Sequence, residues 1–203
     1  MEEPNLFIVK LNRVDFLTLT SIITSSLSVG LSLHGYYYLG ISVLFIAMLA
    51  DAMDGILARK YGLERDFGKY LDGFMDVLIY LVSPGILLYE SGFDGVYIVF
   101  IMSMLTFGCI RLSVFNQIGN IEESNGLSYL GMPVFWSVFI VAIYLIVDLI
   151  VPEISKLLLA VALTAFSVAM ILNRPFYKFK SIKQILCLTI GGAGLFLVLE
   201  ALI

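Results

Sequence analysis

Four aspartates, Asp51, Asp54, Asp72 and Asp76, lie in the stretch "DAMDGILARKYGLERDFGKYLDGFMD", within a chain that is 60% hydrophobic and only 14% charged. On a helix, residues three and four apart share a face. This spacing puts Asp51 beside Asp54, with Gly55 and Ala58 one turn below them and Arg59 at the helix end. After the turn "KYGLER", Gly68, Asp72 and Asp76 recur at steps of four and fall on one stripe of the next helix. Two antiparallel helices thus present two carboxylates each to one another. An aspartate in mid-bilayer costs about 2.5 to 3.5 kcal/mol, and neighbouring like charges add repulsion. Arg59 alone cannot neutralise four carboxylates, whereas hard divalent cations with oxygen ligands can. The residues therefore predict a Mg2+ or Mn2+ site, with two ions, and the lack of nearby histidine or cysteine disfavours zinc and copper. Glycine inside a helix costs up to about 1 kcal/mol, so Gly55 and Gly68 point to something bulky approaching the backbone. A nucleotide diphosphate fits, with Arg59 offering a charged fork to its phosphates. Solvated helix-end charges paired with Lys60, Arg65 and Lys69 are the plainer alternative, but they predict no glycines on the acidic stripes.

The elements that must position these acids are membrane spans. A mean hydropathy of +1.00 over 203 residues excludes a soluble domain with a polar surface. Stretches near the roughly 20 residues needed to cross a bilayer run over Phe16 to Leu33, Tyr37 to Arg59, Phe67 to Tyr89, Val96 to Phe115, Pro133 to Ile150, Ile154 to Leu172 and Ile182 to Ile203. The predicted fold is an all-α, polytopic integral membrane protein forming one domain over residues 1–203. It has a six-helix transmembrane core, an extra C-terminal span and a short interfacial helix over residues 1–14. No cleavable signal is evident, since the N-terminus is acidic and runs directly into the first span. With the N-terminus in the cytoplasm, Lys10, Arg13, Arg59, Lys60, Arg65, Lys69, Arg111, Arg174, Lys178, Lys180 and Lys183 all lie at the inner face, leaving only Lys156 outside. The acidic stretch then faces the cytoplasm too. Cys109 and Cys187, inside apolar spans, read as small packing residues, and His34 as an interfacial turn residue. The cluster "NRPFYKFKSIK" reads as an anchor to anionic lipid, and the glycines of "GGAGLF" as a small-residue contact between protomers.

Written out, the acidic pattern is Asp51-x2-Asp54-Gly55-x2-Ala58-Arg59-x8-Gly68-x3-Asp72-x3-Asp76. It resembles, without departure, the signature of the CDP-alcohol phosphotransferase family of membrane enzymes. The resemblance implies attack by an alcohol on the β-phosphoryl group of CDP-diacylglycerol or CDP-archaeol, with CMP leaving. It implies that Asp51, Asp54, Asp72 and Asp76 bind the metals, that Asp72 and Asp76 are catalytic with Asp76 as general base, and that Asp54, Gly55, Ala58, Arg59 and Gly68 hold the CDP-lipid. It also implies a homodimer among membrane lipids, with no nucleic-acid partner.

Downstream, "RLSVFN" and "YLGMP" resemble segments of the phosphatidylserine synthase branch of that family, with Met132 where Leu is usual. L-serine is the acceptor this implies. Arg111 and Asn116 would then hold either the amino acid's carboxylate or the donor phosphate. Glycerol 3-phosphate and inositol phosphate are the nearest alternative acceptors. A divalent-cation transporter, from another functional class, predicts acids reaching across the membrane, whereas the signature acids gather at one face.

Overall fold

The computed structural model describes residue 9 and residues 11–119, 121–123, 126–176 and 181–203. Most of the expected interfacial helix, together with Lys10, Lys178 and Lys180, lies outside the described residues. The helices are α1 (Arg13–Leu33), α2 (Tyr37–Tyr61), α3 (Asp66–Val77), α4 (Ser83–Glu90), α5 (Ile98–Ile118), α6 (Trp136–Ile150), α7 (Pro152–Ile171) and α8 (Ile182–Leu202). A π-turn over Leu78–Val82 joins α3 to α4, making one continuous segment from Asp66 to Glu90. Six segments are long and apolar enough to cross a membrane, and α6 is a shorter apolar helix among them. The seven expected spans are thus all present as helices, and the chain is a multi-pass integral membrane protein.

Helix α1 is apolar on the outside and polar on the inside. Asp15, Thr18, Ser21, Ser25, Ser28 and Ser32 are its buried residues, while Phe16 and Ile23 are 60% and 69% exposed. In lipid there is little hydrophobic drive to bury such side chains, so small residues and hydrogen bonds bring helices together. Ser28 donates to the Gly40 carbonyl at 2.7 Å, and Ser25 and Ser83 share a 2.7 Å hydrogen bond. A Cβ on Gly40 would sit 2.8 Å from Ser32 Oγ, so glycine there lets α1 and α2 close together.

The "GGAGLF" stretch divides its roles within the chain. A Cβ at Gly192 would meet the Phe45 ring at 2.9 Å, and the Ala193 carbonyl accepts a 2.8 Å hydrogen bond from Ser42 on α2. Gly191 and Gly194 face open space. This part of the stripe therefore docks α8 onto α2 of the same chain. Glu200 adds a latch by accepting from the Leu39 N–H, near the start of α2, at 2.8 Å. Cys109 and Cys187 are free thiols on the outer surface, not packed inside as expected.

The connection from α5 to α6 contains two antiparallel strands, β1 (Ile121–Glu123) and β2 (Gly126–Leu130). Strand β2 also pairs antiparallel with β3 (Pro175–Phe176), Tyr129 opposite Phe176. Backbone groups close to a hydrocarbon layer need internal partners, and this pairing supplies them. Gly131 completes the tie. Its φ is +74°, its N–H donates to the Arg174 carbonyl at 2.9 Å, and a side chain there would run into the Met170 carbonyl. Gly131→Ala combines a left-handed backbone cost of about 1 to 2 kcal/mol with overpacking of about 1 to 3 kcal/mol. A clearly lower thermal midpoint in detergent is expected, and an unchanged midpoint would contradict the packing described.

Candidate active site

Alternation of the helices sets the described ends of α1 (Arg13), α2 (Arg59, Lys60), α3 (Arg65, Lys69), α5 and α8 (Lys183) on one side of the bundle, with the small sheet. The signature acids lie on this side. Helix α2 stops there because Gly62 takes a left-handed conformation, φ +61°, and receives the chain's turn toward α3.

Asp51 from α2 and Asp72 and Asp76 from α3 converge, each offering a carboxylate oxygen within 4.8 Å of the others. At an effective dielectric constant of ~20, two like unit charges about 5 Å apart repel by roughly 3 kcal/mol. Three such pairs approach the whole stability of a typical domain, about 5 to 15 kcal/mol, so the trio calls for a counter-charge. Oδ1 of Asp51 is buried without a hydrogen-bond partner, a free oxygen ligand. Its other oxygen accepts from the Tyr80 hydroxyl at 2.6 Å. An all-oxygen set of three carboxylates with a free buried lone pair fits a hard divalent cation.

Asp54 stands apart from this trio. It is buried, and its Oδ2 accepts from Thr18 Oγ1 on α1 at 2.5 Å. One turn earlier on α1, Asp15 closes a capping box with Asn12 and forms an ion pair with Arg65, the residue preceding α3. Gly68 sits beside that pair; a Cβ there would lie 3.7 Å from Arg65 Cγ and 3.8 Å from Asp15 Oδ1. Helix α1 thus braces both halves of the signature.

The two arginines act on different acids. Arg59 folds back over Gly55, its guanidinium nitrogens 3.6 and 3.8 Å from where a Cβ would be, and acts on Asp72 and Asp54. Arg111 is only 5% exposed and acts on Asp76. Its guanidinium lies over the rings of Phe115, 4.9 Å away, and Tyr129, 5.6 Å away, and its buried Nε has no hydrogen-bond partner. Burial pushes the Tyr129 phenol up to about 12, so it stays neutral beside Arg111 at any working pH. Asn116 reaches α3 at Gly73, where a Cβ would lie 2.5 Å from Asn116 Nδ2. Gly73 therefore gives the α5 side chain access to the acidic helix between Asp72 and Asp76.

The sequence reading brought forward Asp51, Asp72 and Asp76, which converge, and Arg111 and Asn116, which join them from α5. Thr18, Asp15, Gly73 and Tyr80 join the site without a place in that reading, while Arg65 pairs with Asp15 and Tyr129 of "YLGMP" lies over Arg111. The Asn12-x-x-Asp15 capping box was a readable signal, and Tyr80 occupies the next step of four after Asp76.

A bundle of long apolar helices encloses convergent carboxylates, with Arg59 and Arg111 acting on them. The family profile for CDP-alcohol phosphatidyltransferase matches residues 11–173, and the chain belongs to that family. It is 36% identical over 111 residues to the CDP-diacylglycerol--serine O-phosphatidyltransferase of Bacillus subtilis, covering 51% of this chain and 60% of that protein. It is 32% identical over 124 residues to the archaetidylserine synthase of Methanothermobacter thermautotrophicus, covering 59% and 52% of the two chains. Over 120 residues it is 28% identical to a CDP-diacylglycerol--serine O-phosphatidyltransferase of Methanocaldococcus jannaschii, covering 59% and 53%. The chain thus spans about half to three fifths of the length of these relatives.

The Thr18 contact makes a direct prediction. Thr18→Val keeps the side-chain shape but leaves Asp54 without its hydroxyl donor, at a cost of about 1 to 3 kcal/mol. The thermal midpoint of the metal-free protein should fall, and an unaltered midpoint would show that α1 does not brace Asp54.

Proposed function

We propose that this chain transfers the phosphatidyl or archaetidyl group of a CDP-lipid to the hydroxyl of L-serine, releasing CMP. The observation that carries the reading is the convergence of Asp51, Asp72 and Asp76, with the buried Arg111 guanidinium near enough to act on Asp76. The resemblance of "RLSVFN" and "YLGMP" to the serine branch supports it, as do the names of the three relatives.

On this reading the acids, Asp51, Asp72 and Asp76 with Asp54 behind them, hold Mg2+ or Mn2+, two ions in all. Such ions supply counter-charge to the acids and to the phosphoryl oxygens of the donor. Arg59, over the bare backbone of Gly55, binds the donor's diphosphate, and Ala58 and Gly68, by the family resemblance, take the cytidine. Arg111, which acts on Asp76, is the acceptor's partner: its guanidinium forks onto the serine carboxylate, with Asn116 on the same helix. Asp76, between Arg111 and the other acids, takes the proton of the serine hydroxyl. The serine oxygen forms its bond to the β-phosphorus as the bond to the CMP oxygen breaks, so no covalent enzyme intermediate is needed.

The basic residues gathered on the site's side of the bundle support a cytoplasmic N-terminus and a cytoplasmic site. The homodimer implied by the family resemblance belongs to the same proposal. An ion-conducting role is disfavoured. Among the described residues Glu90, Asp94, Asp148, Glu153 and Glu200 lie at the opposite helix ends, whereas Asp15, Glu64, Asp66, Glu122 and Glu123 lie on the site's side, so no acidic path joins the two groups.

The test is purified protein given a CDP-lipid, Mg2+ or Mn2+, and radiolabelled serine, glycerol 3-phosphate or inositol phosphate in parallel, scored for lipid product and CMP. Serine lipid is expected, absent with chelator. Asp76→Asn should abolish turnover and leave CDP-lipid binding measurable. Product from another acceptor alone would overturn the serine reading, and near-normal activity of Asp76→Asn would remove it as the base.

A further inference from the structure

Tyr80 lies outside the signature, yet it occupies the next position on the stripe Gly68, Asp72, Asp76, one step of four deeper into the bundle. It is 4% exposed, and its hydroxyl crosses from the α3–α4 segment to donate to Asp51 Oδ2 on α2 at 2.6 Å. The local backbone has a specific cause. Pro84 has no N–H, so the carbonyl four residues before it, that of Tyr80, loses its ordinary helical partner. Ser137 on α6 takes that carbonyl with a 2.5 Å hydrogen bond. The helix widens here, Ser83 N–H reaching back five residues to the Leu78 carbonyl. Insertions of this kind are frequent at functional sites because they re-aim side chains. Here the Tyr80 carbonyl is tied to α6 and its hydroxyl to Asp51, so the side chain is held at both ends. Its ring lies among the buried core residues, where phenylalanine would pack equally well. The hydroxyl is thus not needed to fill space.

The consequence falls on Asp51. One carboxylate oxygen is engaged and the other is buried without a partner, with the group set within 4.8 Å of Asp72 and Asp76. Carboxylates that ligate metals are commonly oriented by such outer hydrogen bonds, and loss of one typically costs about 10- to 100-fold in affinity. We propose that Tyr80 is a positioning residue for divalent-cation binding, fixing one oxygen of Asp51 so that the other is presented to the ion. The inference rests on the cation reading of the acids.

The test is a Mn2+ titration of the full chain in detergent, followed by electron paramagnetic resonance of the free ion. Tyr80→Phe, which keeps the ring, is compared with Tyr144→Phe, which removes another buried hydroxyl at the end of the bundle near Phe93. Tyr80→Phe should weaken Mn2+ binding by roughly 10-fold or more, with the protein still folded though its thermal midpoint falls as Asp51 loses a donor, and the KM for serine at saturating Mn2+ unchanged. Tyr144→Phe should bind Mn2+ normally. Equal affinity of Tyr80→Phe and the unaltered protein would overturn the positioning role while leaving the cation reading intact. An unaltered protein that binds no Mn2+ would remove both.

Discussion

Mutual repulsion among three carboxylates in an apolar bundle is the constraint around which this molecule is arranged. Asp51, Asp72 and Asp76 come within 4.8 Å of one another on two helices that otherwise present hydrocarbon to lipid. Left ionised and uncompensated, the trio would cost on the order of the protein's whole stability. Its surroundings are therefore a set of partial remedies. Tyr80 donates to Asp51, Thr18 donates to Asp54, Arg59 acts on Asp72 and Arg111 on Asp76. None of these groups occupies the centre of the trio as a counter-ion. The arrangement makes sense as one that waits for divalent charge, and a ligand rich in phosphate then becomes its natural partner.

Holding such a site in lipid requires that helices adhere without a hydrophobic drive. Helix α1 does this with buried hydroxyls and one carboxylate, each directed at a neighbour: Asp15 at Arg65, Thr18 at Asp54, Ser25 at Ser83, Ser28 at Gly40. The same helix therefore supports the bundle and braces both ends of the signature. On the opposite flank, the small sheet carries Tyr129 to the face of Arg111 and is itself tied through Gly131 to the end of α7. Fold and site share these contacts, so changes in either propagate to the other.

The spans and the acidic stripe were legible in the sequence because both are periodic. Apolar length marks a span, and steps of three and four mark a shared helix face. The features that escaped depend on contacts distant in the chain or on broken periodicity. The Asp15–Arg65 pair joins residues 50 apart, and nothing local announces it. Tyr80 was hidden by an apolar run in which Pro84 alone hinted at an irregular turn. The paired strands before α6 carry no strand pattern in their polar and glycine residues; pairing with β3 stabilises them. In "GGAGLF" composition showed a packing stripe but could not show which helix it meets, and Ser42, Phe45 and Glu200 decide that.

The central claim is that these converging carboxylates are a divalent-cation site. Anomalous X-ray diffraction from crystals soaked in Mn2+ locates the ion directly. The account predicts anomalous density between Asp51, Asp72 and Asp76, lost in crystals of Asp51→Asn. Mn2+ density confined to other positions, with the three carboxylates unliganded, would contradict it.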